Sequence, residues 1–179
     1  MKYRMSTAGE RKDIHAPLAR YEGSAPNGET IDFTNYFMRH NGKPFFAASG
    51  EMHFSRIDPR FWEDEIIKLK MGGITMVSTY LFWNHHEEVK GEFNWSGNCD
   101  LKRFLEICRR QKMWVLLRVG PFSHGECRNG GFPDWIYGAP YDVRSNDPEY
   151  LFYVRRYFEQ IAQQTKGMYF KDGGPIVSI

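Results

Sequence analysis

Polar and charged side chains of several types follow a short apolar run in the second half of the chain. The run, Trp114 to Val119, stops at Gly120-Pro121. The loop behind it carries four hydrogen-bonding side chains: His124, Glu126, Arg128 and Asn129. This mixture of donors and acceptors suits a ligand with many hydroxyl groups, and loops that follow buried strands are where α/β barrels carry out chemistry.

Aromatic residues continue the same loop. After Gly130-Gly131 the chain places three rings, which we interpret as a lid: Phe132, Trp135 and Tyr137. Aromatic faces beside hydrogen-bonding side chains favour a sugar, because its C–H faces stack while its hydroxyls need polar partners. The alternative interpretation is a glycine-rich loop with a charged rim, since short motifs also occur by chance.

Four strands are predicted around this loop. Short apolar and β-branched runs between turn signals indicate them, and they span Phe45–Met52, Ile74–Phe82, Trp114–Val119 and Ile176–Ile179. Ahead of the first strand, Asn41-Gly42 predicts a β-hairpin, because this dipeptide is typical of two-residue turns. The hairpin arms are predicted over Phe33–Arg39 and Pro44–Ala48.

Three helices are predicted between the strands. Asp58-Pro59, Asp100 and Asp147-Pro148 each supply an N-cap, and Gly72-Gly73 ends the first helix. Apolar spacing predicts the inward residues, helix by helix: Trp62, Ile66 and Leu69; Phe104, Leu105 and Cys108; Leu151, Val154, Phe158 and Ile161. Alternation of strands and helices indicates an α/β fold, with a parallel sheet and right-handed crossovers.

Composition excludes several classes of function. A formal net charge of +2 gives no single-sign field for nucleic acid or a membrane surface. No run of about 18 apolar residues is present, so no segment is predicted to span a membrane. Three cysteines without CxxC spacing indicate neither a zinc knuckle nor a disulfide framework. Residues 1–29 are polar and lack signal-peptide features, so we predict a poorly ordered leader and leave the localisation open.

Four motifs occur together in this chain. They are GEMHFSR (Gly50–Arg56), TYLFWNHHE (Thr79–Glu87), FNWSGNCDL (Phe93–Leu101) and RVGPFSHGECRNGGFPDW (Arg118–Trp135). The residues of these motifs and their order along the chain resemble those of glycoside hydrolase family 35. The members of that family are retaining β-galactosidases that act on terminal β-galactosyl groups. The resemblance runs from about Asn41 to Ile179. The chain departs from the usual family pattern at His124, where Cys is usual, and at Cys127, where Trp is usual.

The resemblance implies a fold and the position of the catalytic groups. Over residues 30–179 it implies the N-terminal half of a (β/α)8 TIM barrel, strands one to four, preceded by the β-hairpin. Complete barrels need roughly 250 residues. In the family, strand four continues into an Asn-Glu pair whose Glu is the general acid/base, and strand seven carries a nucleophilic Glu. We therefore expect no catalytic residue within this chain, an acid/base Glu just after Ile179, and no activity from the 179 residues alone.

The resemblance also implies substrate contacts. Tyr80 matches a Tyr whose phenol contacts galactose, and Glu126 matches a Glu that accepts hydrogen bonds from sugar hydroxyls. His124 and Gly125 match neighbours that line the same subsite. Residues at the pocket rim or behind it are predicted to be Glu51, His53, Trp83, Asn84, Arg128 and Asn129.

Plainer interpretations stay open for the two principal contacts. Glu126 is alternatively a surface carboxylate paired with Arg128 or Arg118, and Tyr80 is alternatively a core residue of the barrel. His85 and His86 look like a metal-binding pair, but adjacent histidines on a loop point apart and no H-x-x-x-H or H-x-H spacing is present. No metal and no other cofactor is predicted.

Three hypotheses of function follow, each from a different class. The first is a retaining exo-β-galactosidase that acts on a small terminal β-galactoside. The second is a metal-dependent barrel hydrolase that uses His53, His85, His86 and His124. The third is a non-catalytic product that binds galactosides. Neither nucleic acid nor membrane is expected as a partner, whereas the open sheet edges of a half barrel favour self-association.

Overall fold

A computed structural model describes residues 3–6, 9, 13–15 and 22–179. Of the predicted leader, residues 1–29, four stretches lie outside the described residues: 1–2, 7–8, 10–12 and 16–21. Within its described part, Gly23–Ser24 already forms a strand, so regular structure begins before Thr30. The chain divides into two compact units, one of Met1–Ser24 with Gly28–Phe46 and one of Ala25–Asn27 with Ala47–Ile179.

The first unit contains an antiparallel sheet of four strands in sequential order. They are β1 (Gly23–Ser24), β2 (Thr30–Phe33), β3 (Met38–His40) and β4 (Lys43–Phe45). The predicted hairpin is confirmed at β3 and β4, with arms shorter than predicted. Asn41 and Gly42 both have positive φ, 51° and 72°, as a tight two-residue hairpin turn requires. The Asn41 side chain also accepts a hydrogen bond of 2.9 Å from the backbone N–H of Thr30, which ties the turn to β2.

The second unit contains a parallel sheet whose four strands also lie in sequential order. They are β5 (Ser49–Glu51), β6 (Met76–Tyr80), β7 (Trp114–Arg118) and β8 (Ile176–Ser178). The four predicted strands are confirmed, each shorter than its apolar run. Residues between them form the crossovers, as strand-to-strand connections in a parallel sheet require.

Strand alternation gives the parallel sheet two different faces. Val77, Thr79, Val115 and Leu117 are fully buried on one face. The opposite face carries Glu51, Tyr80 and Arg118 at the carboxyl ends of β5, β6 and β7, because Glu51 pairs in register with Ser78 and Tyr80 pairs with Arg118. The sheet therefore brings these three polar side chains to one edge of one face.

Four α-helices lie in the second unit: α1 (Trp62–Met71), α2 (Trp83–His86), α3 (Leu101–Arg110) and α4 (Pro148–Thr165). Short 3-10 turns occupy Phe54–Arg56, Gly97–Cys99, Arg128–Gly131, Asp134–Ile136 and Phe170–Asp172. The predicted caps Asp100 and Asp147 are confirmed, since each carboxylate accepts backbone N–H groups of the first helical turn. Among the described residues, no helix is both long and apolar enough to cross a membrane.

The predicted cap at Asp58 is wrong. Helix α1 begins at Trp62, and the residue at its N-cap position is Phe61. The Asp58 carboxylate instead accepts the backbone N–H of Arg60 at 2.9 Å and pairs with the Arg60 guanidinium. Short polar side chains that bond the backbone two residues ahead form a turn, and this turn delays the helix.

The inward face of α4 also differs from the prediction. Leu151 and Phe158 are 42% and 37% exposed, whereas Tyr150 and Tyr157 are buried beside Val154 and Ile161. Both sets fit helical spacing, so the pattern alone does not separate them. The Tyr157 ring stacks on the Trp83 indole at 4.8 Å between centroids, which gives the tyrosine face a large aromatic partner.

Aromatic side chains dominate the core between sheet and helices. Phe54 stacks on Phe104 at 4.9 Å, and the edge of Trp62 meets both rings. The Trp62 indole N–H donates to the carbonyls of Phe54 and Ile57. Each such side chain contributes about 1.5–3 kcal/mol through burial of its apolar surface. This core fixes the backbone at Phe54–Arg56, directly behind the polar edge of the sheet.

Candidate functional site

Four polar or aromatic side chains meet at the carboxyl edge of the parallel sheet: Glu51, His53, Tyr80 and Arg118, which we call the strand-end cluster. Arg118 donates from Nη1 to Glu51 Oε1 at 2.7 Å and from Nη2 to the Tyr80 hydroxyl. Its guanidinium carbon also lies 3.7 Å from the centroid of the Tyr80 ring. One guanidinium thus holds a carboxylate and a phenol from two neighbouring strands.

His53 connects this cluster to the loops beyond it. Its Nδ1 accepts the backbone N–H of Tyr80 at 3.4 Å, and its Nε2 lies 3.3 Å from Glu51 Oε1. Burial lowers the pKa of His53 below its usual value, and the opposing attraction of Glu51 has a smaller effect. A neutral imidazole that accepts at Nδ1 carries its proton on Nε2, directed at the Glu51 carboxylate.

The loop after β7 is held against the end of β6 by close backbone contact. A methyl group at Gly125 would lie 2.9 Å from two atoms of the Phe82 ring, so only glycine fits there. The Arg56 guanidinium packs over Phe82 at 4.6 Å and donates to the Gly125 carbonyl. Glu126 then takes a positive φ of 46°, an uncommon conformation for a non-glycine residue.

A cleft of about 560 Å³ opens beside this loop, and we call it the polar cleft. Its lining consists of Arg56, Asn84, His85, Glu88, Asn94, Asn98, Cys99, Glu126, Cys127 and Arg128. These residues come from the segments that follow β5, β6 and β7 in the chain. The cleft is therefore built by three successive loops on the carboxyl side of the sheet, where α/β folds bind ligands.

Most of the cleft lining is polar, and its ionisable groups have opposite signs. Arg56 and Arg128 are balanced by Glu88 and Glu126. Burial lowers the pKa of His85, with a smaller contribution from the Arg56 charge, so its imidazole is neutral at neutral pH. The His85 Nδ1 lies 3.1 Å from the Ser55 hydroxyl, which orients the ring.

The structure divides the sequence-predicted residues into two groups. Glu126, Asn84 and Arg128 line the polar cleft, whereas Glu51, His53 and Tyr80 lie in the strand-end cluster. Tyr80 does not line the cleft, so the two principal predicted contacts do not share it. His53 is the link between the groups. The charges of both Glu51 and Glu126 raise its pKa, against the larger effect of burial. Its Nε2 also lies close to Gly125, at 3.3 Å from the position that a Cβ added to this glycine would take.

Trp83 and the aromatic lid occupy places different from those predicted. Trp83 is fully buried, with its indole N–H bonded to Glu87 at 2.8 Å, so it forms core rather than pocket rim. Phe132 is buried against Trp83, and the Trp135 indole N–H donates to the Glu87 carbonyl. Of the three lid residues, Tyr137 alone is largely exposed, at 52%. The apolar surface of the large rings favours burial over exposure on a loop.

His124 and Asn129 lie on the same loop but outside the cleft lining. The exposed His124 ring packs edge-on against Phe122 at 4.9 Å, and the Asn129 amide donates to Asp134 at 2.8 Å. The alternative ion pairs of Glu126 do not form, because Arg118 binds Glu51 and Arg128 binds Asp134. Arg56 reaches the backbone of Glu126 rather than its carboxylate.

The histidines of the metal hypothesis have separate surroundings. His86 is fully buried and stacks on Trp95 at 4.2 Å, and His85 is bonded to Ser55. Over the described ranges, no three His, Cys, Asp or Glu side chains converge as metal ligands would.

Sequence reasoning missed five residues of the cleft: Arg56, Glu88, Asn94, Asn98 and Cys99. Four of them lie within the motifs GEMHFSR and FNWSGNCDL, and Glu88 directly follows the motif TYLFWNHHE. Arg56 was the most accessible to prediction, because it closes a motif that already carries Glu51 and His53. The others converge only through the path of the loop between β6 and α3.

The sequential parallel sheet, its helices and the polar edge define an α/β protein with a candidate ligand site at the carboxyl ends of its strands. Its fold is similar to that of an exo-beta-1,4-mannosidase from Opitutaceae bacterium strain TAV5. The TM-score is 0.56 at 13% identity, over 85% of this chain and 25% of that chain, so the likeness concerns the fold. The profile of glycosyl hydrolases family 35 matches residues 37–179, and the chain belongs to this family.

Curated relatives support the same membership. The chain is 37% identical over 140 residues to a beta-galactosidase of Xanthomonas manihotis, which is 78% of this chain and 23% of that protein. It is 37% identical over 153 residues to beta-galactosidase 7 of Oryza sativa subsp. japonica, 84% of this chain and 20% of that protein. It is 33% identical over 151 residues to the beta-galactosidase of Canis lupus familiaris, which is 84% of this chain and 23% of that protein. The chain thus spans about a fifth to a quarter of the length of these relatives.

Proposed function

We propose that the protein is a retaining glycoside hydrolase that removes terminal β-galactosyl residues from galactosides. The observation that carries the proposal is the placement of Glu51, Tyr80 and Arg118 on one face at the carboxyl ends of three successive parallel strands. Family membership and relatives named beta-galactosidase supply the substrate class.

The same proposal gives the described chain its place in a larger fold. Sequential parallel strands with crossovers between them are the repeating unit of a (β/α)8 barrel. We assign β5 to β8 as strands one to four of that barrel, which makes residues 30–179 part of the catalytic domain. The half-exposed face with Glu51 and Arg118 is then the barrel interior, and the strand-end cluster is its catalytic mouth.

Substrate binding is assigned to Tyr80, His124, Gly125 and Glu126. The Tyr80 phenol, fixed by Arg118, presents a hydroxyl at the strand ends. The Glu126 carboxylate accepts hydroxyl hydrogen bonds, and charged acceptors bind hydroxyl groups about twice as strongly as neutral ones. His53 lies between these two contacts, so one pyranose that bridges the strand-end cluster and the margin of the cleft would touch both.

Retaining hydrolysis needs two carboxyl groups about 5–5.5 Å apart, one as acid/base and one as nucleophile. Glu51 already binds Arg118 and His53, which suits a carboxylate that orients its neighbours rather than one that attacks the anomeric carbon. Glu126 is assigned to binding. We assign neither catalytic role to a residue of the described chain.

The test is hydrolysis by the purified full-length protein, as its gene encodes it. Nitrophenyl β-galactoside should be cleaved faster than the β-glucoside and β-mannoside, and proton NMR should show β-galactose as the first product. Cleavage of the mannoside in preference to the galactoside, or an α-configured first product, would contradict the proposal. Binding of galactose without turnover of any of the three would favour the non-catalytic hypothesis instead.

A further inference from the structure

We propose that Arg56 is a positioning residue for galactose binding, because it holds the backbone that presents Glu126. Arg56 ends the 3-10 turn that follows β5, whereas Glu126 lies on the loop after β7. This role rests on the proposed function and deepens it, since Arg56 acts through a residue assigned to bind the sugar. The hydrogen bonds of the guanidinium, its packing and the conformation of the loop carry the assignment.

The Arg56 guanidinium bonds two consecutive carbonyl groups of the loop after β7. Its Nη2 donates to the Gly125 carbonyl and also reaches the Glu126 carbonyl, at 3.4 Å. These carbonyls belong to the two peptide groups on either side of the Glu126 Cα. One cation therefore fixes both peptide planes that set the direction of the Glu126 side chain, and bonds from a charged donor are stronger than those between neutral groups.

The Phe82 ring aligns Arg56 with Gly125. The guanidinium carbon of Arg56 lies 4.6 Å from the centroid of this ring, and a Cβ at Gly125 would lie 2.9 Å from two of its atoms. Phe82 is fully buried, so the ring has little room to move in a close-packed interior. Arg56 and Gly125 thus pack against one rigid surface, and the hydrogen bond between them closes the arrangement.

The Glu126 backbone needs support from outside its own loop. Its φ of 46° lies in the left-handed region, which non-glycine residues rarely adopt because of steric repulsion at Cβ. Beyond Glu126, the loop closes on itself: the Gly130 N–H donates to the Cys127 carbonyl at 3.0 Å, and the Ser123 N–H donates to the Gly130 carbonyl at 2.7 Å. The bonds from Arg56 fix the peptide groups of Glu126, which these internal bonds do not reach.

The experiment removes the hydrogen bonds of Arg56 and keeps its stem. In the full-length protein, Arg56→Met retains an unbranched side chain beside Phe82 but has no donor. Its kcat/KM for nitrophenyl β-galactoside should fall roughly tenfold, the loss expected for a charged hydrogen bond. Arg56→Lys retains a charged donor and should stay within about threefold of the wild type. The control is Arg60→Met, which should match the wild type, since Arg60 also packs over a ring, Phe61, but bonds Asp58.

A double-mutant cycle separates positioning from a general loss of structure. Glu126→Ala removes the side chain that Arg56 presents, so adding Arg56→Met to this variant should lower kcat/KM by less than about twofold. An equal, roughly tenfold loss with and without the Glu126 side chain would overturn the inference, because Arg56 would then act independently of Glu126. Wild-type kcat/KM in Arg56→Met would overturn it as well.

Amide hydrogen exchange tests the same contact without turnover. The amides of Ser123 and Gly130 are bonded within the loop, so they should exchange faster in Arg56→Met and at the wild-type rate in Arg60→Met. Unchanged exchange in Arg56→Met would overturn the inference whether or not the protein cleaves the substrate. A wild type without turnover, combined with faster exchange in Arg56→Met, would refute the proposed function and still support the hold of Arg56 on the loop.

Discussion

Arg118 joins three strands of the parallel sheet through a single side chain. It lies at the end of β7, bonds Glu51 at the end of β5 and bonds the Tyr80 hydroxyl at the end of β6. The planar guanidinium offers separate nitrogens to the two partners, which a lysine ammonium on a flexible stem does not. The position of the Tyr80 phenol, and with it one proposed sugar contact, therefore depends on an arginine at this site.

Replacement of Arg118 by lysine should lower kcat/KM for nitrophenyl β-galactoside roughly tenfold, the cost of about one charged hydrogen bond. The matched control is Arg110→Lys, whose partner Glu63 lies on the protein surface, and activity there should stay within about twofold of the wild type. Added guanidinium should partly restore activity to Arg118→Ala, because it can occupy the place between Glu51 and Tyr80. Equal losses of kcat/KM in the two lysine variants would show that Arg118 does not position Tyr80. The same conclusion would follow if added guanidinium did not restore activity to Arg118→Ala.

The positions of individual candidate residues were predictable where a motif placed them near the end of a strand. Glu51 and Tyr80 lie near the ends of two predicted strands and Glu126 follows a third, and the structure places the first two at the ends of β5 and β6. Sequence did not reveal that Tyr80 and Glu126 belong to different groups, because that separation depends on the Phe82 ring and on the tight packing of Gly125 against it. Asn94 and Asn98 were missed because only the folded loop brings them to the cleft.

At the scale of elements, two aspartates with the same sequence signature behave differently. Asp147-Pro148 caps α4, and its carboxylate accepts the N–H groups of Glu149 and Tyr150. Asp58-Pro59 has the same pattern, yet Asp58 closes a turn with Arg60 ahead of α1. The difference is the following arginine, which gives the Asp58 carboxylate a competing partner.

Asp147→Ala should lower the free energy of unfolding by about 1 kcal/mol, since it removes the N-cap of α4. Asp147→Ser should retain most of that stability, because serine caps helices nearly as well. Asp58→Ala should cost less than Asp147→Ala, as Asp58 bonds no residue of α1. Urea unfolding followed by circular dichroism gives the three values, and a larger loss for Asp58→Ala than for Asp147→Ala would contradict the assignment.

Strands and long helices were predictable because their apolar period is a local property of the chain. All four strands of the parallel sheet and three helices were found close to their predicted positions. Helix α2 was missed because four residues are too few to show a period. The face of α4 was misassigned because Tyr150 and Tyr157 fit the spacing as well as Leu151 and Phe158, and the stack on Trp83 decides between them.

At the scale of the whole molecule, a pH effect on folding follows from His86. The ring is fully buried, stacks on Trp95 at 4.2 Å and lies with Nδ1 3.1 Å from the Asn94 carbonyl. Burial lowers the pKa of His86 from 6.5 to about 4. The unfolded chain therefore binds a proton between these two values that the folded chain does not, so this histidine makes the protein less stable as the pH falls from about 6.5 to about 4.

Replacement of His86 by phenylalanine should make that pH dependence shallower. Phenylalanine keeps an aromatic partner for Trp95 but has no group to protonate, so the slope of unfolding free energy against pH should decrease by up to about 1.4 kcal/mol per unit, the value for one proton. Urea titrations at several pH values between 4 and 8 measure the slope. Above pH 7 the imidazole is neutral in both states, so the curves of variant and wild type should run parallel there. Parallel curves over the whole range would mean that His86 takes up its proton as readily in the folded protein as in the unfolded chain, and the buried position assigned to it would be wrong.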